Sequence, residues 1–303
     1  HGEQSFLIMN ILVTGAGGFI GRRLVERMAC EVCQITAVDC MQPPDSLPGM
    51  VRFVQSDFVD TSVVLSGVSR PFVLVHLAWE MDRSKDQVGQ AECFARLLEA
   101  RDIKELKRVV ALGSSEEFGA RGGVIREKDE PVPPLTPYGA AKRAARDILK
   151  SFSEKSGVPA LWLRPFTVYG PGQQGNMMIP YAVRCAKNRT PAQFTDGLQS
   201  RDFVYVDDVV EALGGAVAAE CSGFNEINIG SGGAVRVRDV LGLIAEAMDA
   251  KDVFQVGALP RRAGEPDIQQ ADIRAAERLL QWQPVTTLRD GIAETCRAAL
   301  DRE

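Results

Sequence analysis

The sequence predicts an α/β chain built on a doubly wound parallel sheet. Three observations predict it. Short β-branched runs alternate with amphipathic helical stretches through the first half of the 303 residues. A glycine-rich turn joins the first run to the first helical stretch. From Gly170 onward the alternation loosens, and turns separate shorter elements, as expected of a second, smaller lobe.

The elements follow in order. Asn10–Thr14 is a short apolar run that reads as a buried strand. Phe19–Met28 carries apolar residues at Phe19, Ile20, Leu24, Val25 and Met28, which is helical spacing. Further strands are expected at Gln34–Val38, Val51–Val54, Phe72–Leu77, Arg108–Leu112 and Ala160–Leu163, with helices near 86–100 and 138–156. Right-handed crossovers then stack parallel strands with helices on both faces. Met41–Gly49, rich in proline, reads as a surface loop. Turns at Gly170-Pro-Gly172, Asp196-Gly197 and Ser231-Gly-Gly233 set the change of texture. Residues 9–168 are therefore expected to form the first domain. Residues 169–303 should form most of the second lobe, with some strands or helices returning to the first. Met9 directly precedes the first strand, so residues 1–8 read as an added leader outside the fold.

Composition narrows the function. The chain is 45% apolar and 25% charged, the mixture of a globular protein. Its 35 basic and 40 acidic residues leave a net charge of −5, which argues against a nucleic-acid coat. No apolar run approaches the 18 or so residues of a membrane helix, and His1–Ser5 lacks the pattern of a secretory signal. Seven cysteines show no paired framework, so reduced thiols and a cytoplasmic setting are expected. Cys30 and Cys33 form one C-x-x-C, but neither a second pair nor a strand-then-helix context supports a metal or redox site. With two histidines, His1 and His76, no histidine-based metal site is expected; His76 reads as structural.

Gly15, Gly18 and Gly21 recur every three residues in the turn Thr14–Gly21. Such a turn lets backbone approach a pyrophosphate, and the helix start at Phe19 and Ile20 offers N–H groups to it. This is the Rossmann-like reading of the sheet. Asp39 ends the next strand, 18 positions after Gly21, where a carboxylate accepts both adenosine ribose hydroxyls and repels a 2′-phosphate. NAD is therefore favoured over NADP, with Arg22 and Arg23 softening the preference. Asp57 reads either as an acceptor for adenine or as a loop cap.

Tyr138 and Lys142 lie four apart at the start of a helix, so they share one face. A lysine there, with a nicotinamide cation, lowers the phenol pKa toward neutrality and suits the tyrosine to exchange an alcohol proton during hydride transfer. Gly113–Gly119 follows the fifth strand at the carboxyl edge of the sheet, where Ser114 can hydrogen-bond the same oxygen.

With these motifs in order, the chain resembles the extended short-chain dehydrogenase/reductase family, in its NAD-dependent nucleotide-sugar epimerase/dehydratase branch. The likeness runs from Met9 to the last helix. It rests on Thr14–Gly21, Asp39, Asp57, His76-Leu-Ala78, Ser114–Gly119, Tyr138–Lys142, Leu163–Gly172, Arg201–Asp208, Arg262-Ala-Gly-Glu265, Asp272 and Leu280-Gln-Trp282. It implies that Tyr138 is the acid/base, Lys142 tunes it, and Ser114 is the partner hydroxyl. Leu77 and Ala78 join the cofactor contacts, and Ser115 and Thr167 the substrate contacts. Arg201 and Arg262 would hold the nucleotide diphosphate, whose oxygens suit a guanidinium fork, although a surface ion pair is the plain alternative for each. A homodimer is the family expectation.

The chain departs from the family in four places: Thr167 stands for a common Asn, Phe118 for a frequent Tyr, Gln90 for an Asn-like position, and the stretch from Ala78 to Gln90 is about eight residues short. The branch oxidises the sugar at C4. Glu116 matches the position of a dehydratase glutamate, but Ser114-Ser115-Glu116 lacks the dehydratase Thr-Asp-Glu. The order of expectation is 4-epimerase, then 4,6-dehydratase, then NAD(P)H-dependent 4-keto-sugar reductase. A non-catalytic NAD(P)-sensing protein on the same fold is the reading from another class; the presence of Tyr138 and Lys142 weighs against it.

Overall fold

The computed structural model of the chain describes residues 9–29, 33–43, 49–81, 85, 87–100, 103, 105–130, 132–173 and 177–301. The expected leader at 1–8, Cys30 and most of the proline-rich loop lie outside them. Two compact units are present. One comprises the chain up to Glu117 with Thr136–Arg164 and Val210–Ile227; the other comprises Phe118–Leu135, Pro165–Val209 and Asn228–Glu303.

The first unit follows the predicted alternation: β1 (Met9–Thr14), α1 (Phe19–Met28), β2 (Cys33–Asp39), β3 (Val51–Gln55), α2 (Thr61–Leu65), β4 (Phe72–His76), α3 (Val88–Leu98) and β5 (Leu106–Leu112). A short 3-10 turn, Ser115–Phe118, comes next. The strand β6 (Gly123–Ile125) belongs to the second unit; α4 (Pro137–Ser156) and most of β7 (Ala160–Pro165) return to the first. The chain continues through β8 (Thr167–Tyr169), α5 (Met178–Asn188), β9 (Ala192–Phe194), β10 (Ser200–Tyr205), α6 (Val206–Ala218) and β11 (Phe224–Ile229). It closes with β12 (Ala234–Arg236), α7 (Val237–Ala247), β13 (Phe254–Val256), β14 (Ile268–Ala271), α8 (Arg274–Leu280) and α9 (Leu288–Leu300).

The seven-stranded sheet has the order β11-β7-β5-β4-β1-β2-β3. The pairings from β7 through β3 are all parallel. The order reverses at β1, which lies between β4 and β2, so the ends of β1 and β4 border a topological switch point. All five residues of β4 are buried, which explains its unbroken apolar run Phe72–Val75. Helices α3 and α4 pack their apolar faces on this sheet through Phe94, Leu97, Ala145 and Leu149.

Local chemistry sets the length of α4. Thr136 caps its start by accepting from the Gly139 N–H at 3.0 Å, Pro137 occupies the first turn, and Gly157 ends it in the left-handed region with φ of 73°. The short helix α2 has no sequence counterpart among the predicted elements. It is nucleated by Asp60, whose carboxylate accepts from the Val63 N–H.

The chain passes between the two units more often than one boundary near 168 allows. Residues 118–135, expected in the first domain, join the second unit because β6 pairs in parallel with β14 and the buried Asn228 amide donates to the Ile125 carbonyl at 2.9 Å. Phe118, Ile125, Phe166 and Ala271 form a small core of their own there. Residues 210–227 go the other way, into the first unit. Among the described residues, no helix is long and apolar enough to cross a membrane.

Candidate active site

Thr14 closes β1, and Gly15 turns the chain toward α1 with φ of 73°. A Cβ on Gly15 would lie 2.5 Å from the Ala78 nitrogen and 2.7 Å from the Leu77 carbonyl carbon. One on Gly21 would run into the Gly15 carbonyl oxygen. Both positions are therefore restricted to glycine, one by conformation and contact, the other by contact alone. Gly18 is the N-cap of α1 and brings no side chain to cap it, so the first turn, Phe19 and Ile20 included, presents its backbone without a side-chain partner. The Leu77 N–H donates to the Thr14 carbonyl at 3.0 Å, tying the end of β4 to this turn.

Asp39 is buried at the end of β2. Its Oδ2 accepts from the Gly17 N–H and its Oδ1 from the Met41 N–H, each at 2.9 Å. The carboxylate is thus pinned against the glycine turn. Asp57, by contrast, is exposed, and its Oδ1 accepts from the Val59 N–H at 3.3 Å, the geometry of a loop cap. His76 is buried, with Nδ1 2.8 Å from Thr14 Oγ1, and stacks on Phe94 with ring centroids 4.3 Å apart. Burial, and then the charge of Lys142, push its pKa down to about 3, so it is neutral.

On α4, Tyr138 and Lys142 are both buried on one face. Lys142 Nζ donates to the Leu112 carbonyl at 2.9 Å and lies 3.7 Å from the centroid of the Trp79 ring and 5.9 Å from that of Tyr138. Burial pushes the ammonium pKa down to about 7, against the opposing pull of the Glu117 carboxylate. The lysine therefore changes charge near neutral pH, not near its ordinary value.

The turn after β5 carries Ser114 and brings Glu116 to the start of α4. Ser114 Oγ accepts from the Glu116 N–H at 3.2 Å. Glu116 is half-buried, and its Oε2 accepts from Thr136 Oγ1, the cap of α4, at 2.7 Å. A Cβ on Gly139 would lie 2.5 Å from the Glu116 carbonyl oxygen, so the turn and the first turn of α4 meet backbone to backbone. Ser115 is half-buried between these residues.

Beneath this turn lies Glu117, its side chain 3% exposed. It accepts from the Ser114 N–H at 2.8 Å, from Trp162 Nε1 at 3.0 Å and from Arg164 Nε at 2.9 Å. Arg164, 1% exposed, extends the network to Glu226, and Arg143 grips the Glu117 carbonyl. Gly113 has room only for hydrogen, because a Cβ there would run into Glu117 Oε1 and Trp162 Nε1.

The second unit carries the other named residues. Thr167 opens β8 opposite Phe203 of β10. Arg201 is mostly buried, pairs with Glu265 at 2.6 Å and donates to the carbonyls of Ser200 and Pro266. Arg262 is exposed in a turn closed by the Glu265 N–H on the Arg262 carbonyl. Two aspartates of the Arg201–Asp208 motif are structural pins. Asp202 accepts from the N–H groups of Ser231, Gly232 and Ala271. Asp208 accepts from those of Val285 and Thr286, while its carbonyl takes Trp282 Nε1.

A sequence profile of the NAD dependent epimerase/dehydratase family matches residues 11–230. The chain is 30% identical over 307 residues to the UDP-glucose 4-epimerase of Mycolicibacterium smegmatis, covering 95% of this chain and 97% of that protein. It is 29% identical over 308 residues to a Bacillus subtilis protein described as the uncharacterized UDP-glucose epimerase YtcB, covering 94% and 96%. MoeE5, solved in complex with UDP-glucuronic acid and NAD, superposes with a TM-score of 0.85 at 32% identity, covering 95% and 98%. The chain belongs to the NAD-dependent epimerase/dehydratase family. It is an enzyme of that family, with NAD as the cofactor.

As a member of the NAD-dependent epimerase/dehydratase family, the chain shows three residues that sequence reasoning passed over. Gly17 gives its N–H to Asp39, and a Cβ on it would lie 3.1 Å from the Asp39 Cγ; the doubled glycine at 17–18 was the available signal. Glu117 was hidden by its neighbour Glu116, although an arginine inside the apolar strand β7 had to be paired. Trp79 was visible only as an aromatic after His76-Leu-Ala78.

Proposed function

We propose that the protein is an NAD-dependent nucleotide-sugar 4-epimerase acting on a UDP-sugar. The observation that carries this reading is the pair on α4: Tyr138 and Lys142 on one buried face, the lysine held at the Leu112 carbonyl and titrating near neutrality.

The residues present fit NAD. Gly15 and Gly21 leave a turn that a Cβ on either would fill, the N-cap Gly18 gives the first turn of α1 no side-chain cap, and the Asp39 carboxylate is held against that turn. We assign the pyrophosphate to Gly15–Gly21, the adenosine ribose hydroxyls to Asp39, and further contacts to Leu77 and Ala78. A fixed carboxylate repels a 2′-phosphate, which favours NAD over NADP. NAD, when bound, would supply the acceptor for the C4 hydride and the donor of that hydride to the opposite face of the 4-keto sugar, which inverts C4.

The chain's own work is proton transfer and positioning. Tyr138 takes the C4 hydroxyl proton as the alcohol becomes a ketone and gives it back in the second half of the reaction. Charged Lys142 favours the phenolate of Tyr138. Ser114 hydrogen-bonds the same oxygen, and Ser115 and Thr167 contact the sugar. Arg262, which is exposed, is assigned to the diphosphate, as is Arg201, whose guanidinium would have to exchange Glu265 and the Ser200 and Pro266 carbonyls for it. Relatives named for UDP-glucose and UDP-glucuronic acid support the UDP-sugar class. Glu116 is already engaged by Thr136, which ties it to the helix cap and speaks for the epimerase over the dehydratase.

The test incubates the purified protein with UDP-glucose, UDP-glucuronic acid, UDP-N-acetylglucosamine and the GDP-, CDP- and dTDP-sugars, and resolves products by chromatography and NMR. The expected result is a 4-epimer of a UDP-sugar, formed in both directions. A 4-keto-6-deoxy product, or a stoichiometric demand for NADPH, would overturn the reading.

A further inference from the structure

We propose that Trp79 is a positioning residue for Lys142: its indole face covers one side of the ammonium, holds it beside Tyr138 and favours its charged form. The activity half of this inference rests on the proposed roles of Lys142 and Tyr138; the contact itself does not.

Lys142 is buried, and an ammonium carries three N–H donors. One goes to the Leu112 carbonyl at 2.9 Å. The Trp79 ring centroid lies 3.7 Å from Nζ, inside the range of a cation–π contact, and indole is the strongest such partner. A buried charge needs this kind of compensation, because leaving its donors in an apolar surround is costly.

The indole is held in that orientation from two sides. Trp79 Nε1 donates to Gln87 Oε1 at 2.9 Å, and Gln87, 2% exposed, is the N-cap residue of α3. Gln87 Nε2 donates back to the Glu80 carbonyl, and Gln90 Oε1 accepts from the Glu80 N–H at 3.2 Å. On the other side, Tyr138 meets the indole edge-on, with centroids 6.4 Å apart at 88°. Trp79 and Glu80 are thus tied to Gln87 and Gln90, and the tryptophan face lies over the lysine.

The other titratable groups acting on or beside Lys142 are Glu117 from the turn after β5, His76 of β4 and Tyr138 of α4. His76 is neutral, so the Glu117 charge and the Leu112 carbonyl oppose the cost of burial, and the Trp79 face adds to them. Since that cost brings the amine to about 7, a contact favouring its charge acts in the pH range where it counts.

The experiment has two arms on the full chain as purified. The first records tryptophan emission from pH 5 to 10 in the wild type and in Trp79→Phe; their difference isolates Trp79 from Trp162 and Trp282. The expected difference signal titrates with a midpoint near 7 and is lost in Lys142→Met. A flat difference, or one that still titrates in Lys142→Met, overturns the proposal. The second arm measures the pH dependence of kcat. Trp79→Leu should move the alkaline limb down by about half to one and a half pH units, the equivalent of losing a cation–π contact, while Trp79→Phe should restore at least half of that shift. Coincident limbs for wild type and Trp79→Leu overturn the proposal. If the wild type turns over no nucleotide sugar, the epimerase reading fails and the emission arm still decides this one. If Trp79→Leu does not fold by circular dichroism, Trp79→Phe and Lys142→Met carry the decision through emission.

Discussion

The turn at Gly15–Gly21 and the turn at Gly113–Glu117 both leave the carboxyl edge of the same sheet, one after β1 and the other after β5. They are shaped by opposite means. The first is made by the absence of side chains: Gly15 and Gly21 pack backbone on backbone, and one carboxylate, Asp39, steadies Gly17 from outside. The second is made by charged side chains in the interior, where Glu117, Trp162 and Arg164 fix the Ser114 N–H from beneath. A turn built on missing atoms resists most chemistry but tolerates no added carbon. A turn built on a buried ion pair depends on both partners, because either one left alone is an uncompensated charge.

The largest expected effect lies at the second turn's helix. Tyr138→Phe should cut epimer formation by about 10²–10⁴-fold, the range for loss of a general acid/base, while retaining bound NAD and the wild-type melting temperature. Product assay, cofactor release on denaturation and calorimetry check the three parts. A fully active variant would remove Tyr138 from the mechanism.

Glu117→Gln is expected next, at about 3 kcal/mol of stability in a urea melt, because the buried Arg164 keeps only Glu226 and the Ser114 and Trp162 donors lose a charged acceptor. Glu117→Gln combined with Arg164→Met should recover much of that loss. If the single variant melts like wild type, the contrast between the two turns fails.

At the glycine turn the expected losses are smaller. Gly21→Ala should lower stability by about 1–3 kcal/mol, the size of a core overpacking, and release NAD. Gly157→Ala makes the control. It has the same φ of 73° as Gly15 but nothing within 4 Å of its Cβ, so only the backbone cost of about 1–2 kcal/mol applies and NAD stays bound.

The smallest effect, per pH unit, belongs to His76 behind the glycine turn. Its folded pKa of about 3 lies below the ordinary 6.5. Above pH 6.5 the ring is neutral in both states. Between 6.5 and 3 the unfolded chain binds the proton and the folded one does not, so stability falls as the pH falls, by at most about 1.4 kcal/mol per unit. Urea melts from pH 7 to 4 should show this slope in wild type and a shallower one in His76→Asn.

Legibility divides along the same line as the two turns. The glycine turn, Asp39 and the Tyr138–Lys142 spacing could be read directly, since each depends on neighbours within one strand–turn–helix unit. Strand and helix positions were legible for the same reason: the burial of β4 and the Thr136–Gly157 limits of α4 are written in local pattern. Helix α2 escaped because five residues carry too little periodicity. The grouping of residues 118–135 with the second unit escapes a local reading because β6 pairs with β14, more than 140 positions away.

By itself, then, the sequence determined the parallel α/β sheet, the glycine turn with its acidic partner, and the helical face that carries Tyr138 and Lys142. These follow from periodicity and from the steric limits of single residues. Only the tertiary structure decided that Glu117 and not Glu116 is the buried carboxylate, that Glu116 is tied to the cap of α4, and that Trp79 lies on Lys142. The reason is physical: a charge or a ring acquires its role from what surrounds it in space, and those surroundings come from strands and helices far apart in the chain.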